Sequence, residues 1–271
     1  MSVPTTTLND GVVIPQLGFG TWQVPADEAE KAVSAALEAG FRHIDTAAIY
    51  DNEEGVGRAL AASGLDRKDL FITTKLWNDA HHANDARKAI ETSLSKLGLD
   101  HIDLYLIHWP APVKYGDAYI EAWNALQDFK SEGLTRSIGV SNFKTEHLDA
   151  IEGVTPSVDQ IEMHPTFNQA TFRAELAKRG ITEPAARTDT GRGLPPETLQ
   201  ALLRRAGNQV PLVRLGRLEF DTNTRMASVG GQPLALTPRE LAVLEALLAR
   251  VGRPVAMDRW CRYGPGAQWP T

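Results

Sequence analysis

A single cysteine, Cys261, stands in 271 residues. That excludes an internal disulfide framework and a cysteine-built zinc site, and it suits a reducing, cytoplasmic setting. No apolar run approaches the roughly 20 residues that a membrane-spanning helix needs. The opening "MSVPTTTLNDG" has neither a basic n-region nor an apolar h-region, so no signal peptide is expected. A G-x-S-x-G nucleophile elbow is missing. His81 and His82 are adjacent, but no further His or Cys completes a ligand spacing around them. They read as a solvated loop, and no metal is expected. The net charge of −6 argues against nucleic-acid binding by the whole molecule. One absence is local. Residues 182–271 contain no Lys and no His, with 12 Arg against 8 acidic residues, whereas residues 1–181 hold 9 Lys among 16 basic residues against 26 acidic ones. This shift places a boundary near residues 181 to 184 without help from any motif.

The first segment is rhythmic. Its apolar runs close on polar residues: "LGFGT" at Thr21, "FRHID" at Asp45, "LFITTK" at Lys75, "IDLYLIH" at His108 and "SIGVSN" at Asn142, while "SVDQIEM" carries Gln160. Helical stretches lie between them. "PADEAEKAVSAALEAG" opens with Pro25 and stops at Gly40; "NDARKAIETSLSKLG" can cap at Asn84 or Asp85 and stops at Gly98; "DAYIEAWNALQDFKSEG" stops at Gly133. Strand and helix alternating at roughly 30-residue spacing predicts βαβ units and a parallel sheet. Parallel strands are buried on both faces, so polar residues gathered at one strand end point to a site there. In a (β/α)8 barrel that end is the active face. A doubly wound sheet would also collect residues at that edge, more usually with a G-x-G-x-x-G turn. The nearest match, "GFGTWQ", Gly18 to Gln23, lacks the third glycine.

Asp45, Tyr50, Lys75 and His108 come from three successive strand ends and one following loop. Carbonyl reduction needs a hydride on carbon and a proton on oxygen. A tyrosine hydroxyl could supply the proton, although its ordinary pKa is about 10. A lysine ammonium at about 4 Å is worth about 4 kcal/mol at an effective dielectric near 20, enough to lower that pKa by up to about three units. An aspartate would keep the lysine charged and aimed, and a histidine would orient the carbonyl. Taken singly, each residue has a plainer reading: Asp45 as a loop cap, Tyr50 as a surface residue, Lys75 as solvated, His108 as structural, Ser141 and Asn142 as a helix cap, and the tryptophans as core. Jointly they make a pattern that separate coincidences do not explain.

These positions and their flanking text, "LGFGTW", "GFRHIDTAAIYDNEEGVGRAL", "TTKLW", "LIHWP", "IGVSNF" and "DQIEMHP", resemble the aldo-keto reductases over about residues 5–181. The resemblance implies an NADPH-dependent reductase of small aldehydes and ketones. Within it, Tyr50 is the proton donor, Lys75 tunes its pKa, Asp45 partners Lys75, and His108 orients the carbonyl. Ser141, Asn142 and Gln160 would hold the nicotinamide carboxamide. Gly20 and Thr21 would lie beside the cofactor, and Trp22, Trp77 and Trp109 would wall the substrate pocket. Six strands are countable, so the expected fold class is α/β, an incomplete TIM (β/α)8-type barrel over residues 1–181. Loss of the last two units would weaken NADPH binding and leave strands one and six with unpaired edges.

Residues 182–194 read as a junction. Beyond them, "VRLGRLEFD" and "RMASVGGQPLALT" read as short antiparallel strands with a turn at Gly230 and Gly231, and "TPRELAVLEALLARVG" reads as a helix capped by Thr237 and stopped by Gly252. Residues 195–260 resemble the winged-helix output domain of two-component response regulators, a small α+β fragment, and residues 261–271 remain unassigned. No recognition helix follows, and the arginines are scattered, so DNA binding is not expected. Three readings stand: a reductase, a DNA-binding regulator fragment, or a chimaera of two truncated pieces without a joint function.

Overall fold

The computed structural model describes residues 3–163, 167–183, 185–186, 212–215, 218–221, 226–229 and 232–234. The chain divides into two units, Met1–Asn208 and Gln209–Thr271. The first begins with an antiparallel hairpin, β1 (Thr5–Thr7) and β2 (Val13–Pro15). Seven parallel strands follow, each paired with the next in chain order: β3 (Gly18–Gly20), β4 (His43–Asp45), β5 (Phe71–Leu76), β6 (Ile102–Ile107), β7 (Thr135–Ser141), β8 (Asp159–Glu162) and β9 (Ala185–Ala186). Helices cross between them: α1 (Ala29–Ala39), α2 (Glu53–Ala62), α3 (Ala83–Leu97), α4 (Pro112–Tyr115), α5 (Ala118–Ser131), α6 (Thr145–Ala150) and α7 (Ala170–Lys178).

Burial sorts the sheet into two faces. Ile90 and Leu94 of α3 and Trp123, Leu126 and Phe129 of α5 pack on Leu76, Tyr105, Ile107, Ile138 and Val140 of the strands. On the opposite face, Leu8 and Ile14 of the hairpin pack on Phe71, Leu104, Leu106 and Val158, so the hairpin plugs one end of the curl. Every residue of β5 and β6 is buried, as parallel strands covered on both sides require. The curl itself follows from one hydrogen bond. Gln160 Nε2 on β8 donates to Asp45 Oδ2 on β4 at 2.8 Å, although the two strands are four places apart in the sheet. In a flat sheet that separation would be about 19 Å at about 4.8 Å per strand. The architecture is therefore a curled parallel half-barrel of TIM type.

Three expectations are corrected. The sixth barrel strand, β8, is not an edge. It pairs with a seventh, Ile161 opposite Ala185 and Glu162 opposite Ala186, and a bridge joins Val158 to Thr182. The sheet thus runs past residue 181 into the supposed junction. The stretch "TEPAA" hides this because proline and alanine replace the β-branched residues that mark a strand. Helix α1 begins at Ala29 rather than at Pro25, though it does end on Gly40 at φ +104°, in the left-handed region open to glycine. Helix α3 begins at Ala83, and neither Asn84 nor Asp85 caps it. Glu121 of α5 instead accepts the Ala83 N–H at 2.7 Å, so a neighbouring helix supplies the cap.

In the second unit, β10 (Leu212–Leu215), β11 (Leu218–Asp221), β12 (Met226–Val229) and β13 (Gln232–Leu234) form an antiparallel meander. These are the strands expected from "VRLGRLEFD" and "RMASVGGQPLALT", with Val229 opposite Gln232 across the expected turn. The helix expected over 237–252, the rest of the junction at 187–194 and the tail at 261–271 lie outside the described residues. Among the described residues, no helix is long and apolar enough to cross a membrane.

Candidate active site

The C-terminal rim of the curled sheet gathers the polar residues that the strand ends announced. Asp45 closes β4, Lys75 lies one residue before the end of β5, His108 follows β6, Ser141 closes β7 and Gln160 sits on β8. Lys75 is 1% exposed and is paired with Asp45, and its Nζ donates to the Thr46 carbonyl oxygen at 2.9 Å. A buried ammonium requires both, since an unpaired charge away from water costs several kcal/mol. The two Asp45 oxygens are divided: Oδ1 faces Lys75 and Oδ2 accepts from Gln160. Tyr50 ends a short 3-10 turn, Ala48–Tyr50, after β4. Its ring lies 5.3 Å from Lys75 Nζ and meets the His108 ring edge-to-face at 5.6 Å. Trp77 meets the same histidine at 5.2 Å. The structure thus brings Asp45, Tyr50, Lys75, His108 and Trp77 together.

Electrostatics refine the sequence argument. Burial pushes the Tyr50 phenol above its ordinary value, and Lys75, the next largest influence, pulls it down. Lysine acts in the expected direction, but desolvation outweighs it, which corrects the net lowering expected from charge alone. His108 is held near 3, first by burial and then by Lys75, so its imidazole is neutral at physiological pH. Its Nδ1 is buried without a hydrogen-bond partner among the described residues.

A second group adjoins the first. Ser141 Oγ donates to the Gln160 carbonyl oxygen at 2.9 Å. Asn142 Nδ2 donates to the His108 carbonyl oxygen and to Ser141 Oγ, both at 3.0 Å, with Asn142 at φ +61°. Among the described residues, Asn142 Oδ1 and Gln160 Oε1 accept no hydrogen bond, and Gln160 Nε2 keeps one hydrogen beyond the one given to Asp45, which leaves two acceptors and one donor to meet a primary carboxamide. Gly20 has open space where a Cβ would stand. Thr21 is fully buried, and its hydroxyl donates to Asn52 Oδ1 at 3.2 Å, so its side chain turns inward. Trp22 and Trp109 stand 41% and 47% exposed at the rim, whereas Trp77 is half-buried against His108.

Sequence reasoning passed over four buried residues beside this rim. His81, assigned with His82 to a solvated loop, is 1% exposed and packs edge-to-face on Tyr115; burial holds it near pH 4, and neither ring nitrogen has a partner. Only His82 is exposed, with Glu121 accepting from its ring at 2.9 Å. His43, two residues before Asp45, is buried with Nε2 2.9 Å from Thr73 Oγ1. Asp159 precedes Gln160 and is wholly buried. Desolvation raises it to about 7, and the neighbouring Phe143 N–H offsets this only in part. Asn52 is the fourth, tied by hydrogen bonds to Thr21, Val24 and Thr46. The one signal for His43 and Asp159 is their place inside buried strand runs. Among the described residues, no group of three or more His, Cys, Asp or Glu could hold a metal ion.

A curled parallel sheet with a paired lysine, a tyrosine and a neutral histidine at its C-terminal rim defines an α/β-barrel class of protein. Comparison with known proteins gives the family. The aldo/keto reductase family pattern matches residues 16–191. The chain is 53% identical over 181 residues to the methylglyoxal reductase DkgA of Yersinia pestis, a match that covers 66% of this chain and 64% of that protein. It is 51% identical over 185 residues to DkgA of Escherichia coli K12, covering 67% and 66% respectively. Among solved structures, an aldo/keto reductase from Brucella melitensis aligns with TM-score 0.66 at 54% identity, covering 68% of this chain and 73% of that one. An aldo-keto reductase of Bombyx mori in complex with NADP aligns with TM-score 0.64 at 40% identity, covering 78% of each. The chain belongs to the aldo/keto reductase family, and it spans just under two thirds of the length of the Yersinia relative.

Proposed function

We propose that this chain reduces small aldehydes and ketones to alcohols with NADPH, and that 2-oxoaldehydes such as methylglyoxal are its substrates. The observation that carries this reading is the buried Lys75–Asp45 pair beside the Tyr50 phenol, with a neutral His108 against the same ring. In this reading Ser141, Asn142 and Gln160 hold the nicotinamide amide, which fits the Asn142 and Gln160 oxygens that accept no hydrogen bond among the described residues, and Gly20 leaves room for the cofactor. When bound, the nicotinamide supplies hydride to the carbonyl carbon. The chain's own residues do the rest. Tyr50 is kept protonated by burial and gives its hydroxyl proton to the carbonyl oxygen; Lys75, fixed by Asp45 and the Thr46 carbonyl, stabilises the phenolate left behind. His108, being neutral, donates a hydrogen bond to the carbonyl without giving up a proton. Trp22, Trp77 and Trp109 wall the substrate, and Thr21 supports the cofactor side through its backbone.

Support for the substrate class comes from the names of the Yersinia and Escherichia relatives, and support for NADPH from the Bombyx structure. The reading includes weak cofactor affinity, because the family pattern ends at residue 191 and the match spans 64% of the Yersinia relative. Its test is NADPH-dependent loss of nicotinamide absorbance with methylglyoxal. Turnover is expected to fall at least about 100-fold in Tyr50→Phe, the usual worth of a positioned general acid. Titration of tryptophan fluorescence with NADPH should give the same Kd in both proteins. Wild-type protein that leaves NADPH unconsumed at saturating aldehyde, or equal turnover in Tyr50→Phe, overturns the reading.

A further inference from the structure

Asn52 is 1% exposed and makes four hydrogen bonds, filling its two donors and both acceptor positions. Its Nδ2 donates to the Thr21 carbonyl oxygen at 2.9 Å and to the Val24 carbonyl oxygen at 3.0 Å. Its Oδ1 accepts from Thr21 Oγ1 at 3.2 Å and from Thr46 Oγ1 at 2.9 Å. These partners lie on separate parts of the rim. The loop from Thr21 to Val24 carries Trp22, and it includes Gln23 at φ +62°, a left-handed conformation that a non-glycine residue holds only when its surroundings enforce it. Thr46 presents the carbonyl that accepts from Lys75 Nζ. Asn52 itself stands two residues after Tyr50.

We propose that Asn52 is a positioning residue of the reductase site, one amide that fixes the substrate-wall loop bearing Trp22 and the lysine-holding carbonyl of Thr46 in a single register with Tyr50. This rests on the reductase reading for its kinetic consequence, though not for its structural one. The two halves of the amide act on different steps. The Nδ2 half holds the 21–24 loop and so acts on carbonyl binding. The Oδ1 half accepts from the Thr21 hydroxyl on the loop side as well, but through the Thr46 hydroxyl it acts on the aim of Lys75 at Tyr50, which bears on proton donation.

Two near-isosteric variants separate the halves. Asn52→Asp keeps the acceptor facing Thr46 and replaces the donor with an oxygen facing two carbonyls. It is expected to raise KM for methylglyoxal roughly tenfold with kcat little changed, the scale of one or two neutral hydrogen bonds. Thr46→Val keeps the loop arm and removes the other, and is expected to lower kcat roughly fivefold to tenfold with KM little changed. A purely structural Asn52 would instead move both parameters of both variants in step with their melting temperatures, and that result overturns the proposal. Amide hydrogen exchange on wild type and Asn52→Ala supplies a readout independent of turnover. Exchange should quicken at least about fivefold in peptides spanning 20–26 and 44–48 and stay unchanged around Asp103. Uniform quickening, or none, overturns the proposal. An inactive wild type with the localised exchange pattern rejects the reductase reading and leaves the clamp itself supported.

Discussion

His108 shows how the site reads at the scale of one residue. Its imidazole is buried and faces Lys75, and both effects disfavour the protonated form, which places its pKa near 3. It therefore remains neutral from pH 8 down to about pH 4. We expect kcat/KM for methylglyoxal to show no acid-side loss between pH 8 and 5 attributable to this group, and His108→Gln to lower the rate without shifting the profile. An inflection near pH 6.5 that vanishes in His108→Gln would refute the assignment. The four rim residues were legible in the sequence because each interrupts or follows a strand that is otherwise apolar, and burial on both faces gives a polar residue there a cost to explain. Asn52 was not legible. It stands at the N-cap position of α2, yet no cap hydrogen bond forms and its amide faces the loops instead. Nor was the balance at Tyr50, since charge spacing can be read from sequence and desolvation cannot.

Among the elements, the strand ends opposite the site are held by a fully buried carboxylate. Asp103, the second residue of β6, accepts from Arg67 at 2.6 Å, from Arg136 at 2.7 Å and from the Ile72 N–H at 2.8 Å, joining β5, β6 and β7 at their N-terminal ends. Replacing it with alanine takes the acceptor from the Ile72 amide and the carboxylate from Arg67 and Arg136, although Arg67 still donates to the Leu70 and His101 carbonyls. Asp103→Ala is expected to lose about 1–3 kcal/mol in urea unfolding, the usual cost of a buried amide left unsatisfied together with lost charge-assisted hydrogen bonds to partly exposed arginines. A loss below 1 kcal/mol would show that water or a local shift replaces the carboxylate. Helix ends marked by glycine were legible because a left-handed residue has a residue type of its own. The start of α3 and the strand β9 were not: one is capped by a carboxylate 38 positions away in the chain, the other lacks β-branched residues.

For the folded unit as a whole, the direction of pH dependence follows from its buried groups. Burial holds His43, His81 and His108 below the ordinary histidine value. A group whose folded pKa is depressed binds its proton more readily in the unfolded chain, so the stability these three contribute is lost as pH falls below about 6.5. Asp159, raised to about 7, has the opposite sign: its contribution is present below its unfolded value near 4 and is lost as pH rises through 7. Three histidines against two raised carboxyls, Asp159 and the buried Glu53, give a net gain in stability from pH 5 to 7. The urea midpoint is expected to be higher at pH 7 than at pH 5. Asp159→Asn should match wild type near pH 4 and exceed it by at least about 1 kcal/mol at pH 8, because burial no longer has a charge to oppose. A midpoint that falls between pH 5 and 7, or an Asp159→Asn difference independent of pH, would contradict this.

The hydrogen bond from Gln160 to Asp45 spans the mouth of the curl like a drawstring, one carboxylate lending an oxygen to each flank. Slackening the sheet on the β8 side would unhook Gln160 and leave that oxygen to water or to Lys75. The lysine would thus register a loss of curvature before any strand had left its neighbour, and the chemistry of the rim is a gauge of how tightly the half-barrel is wound.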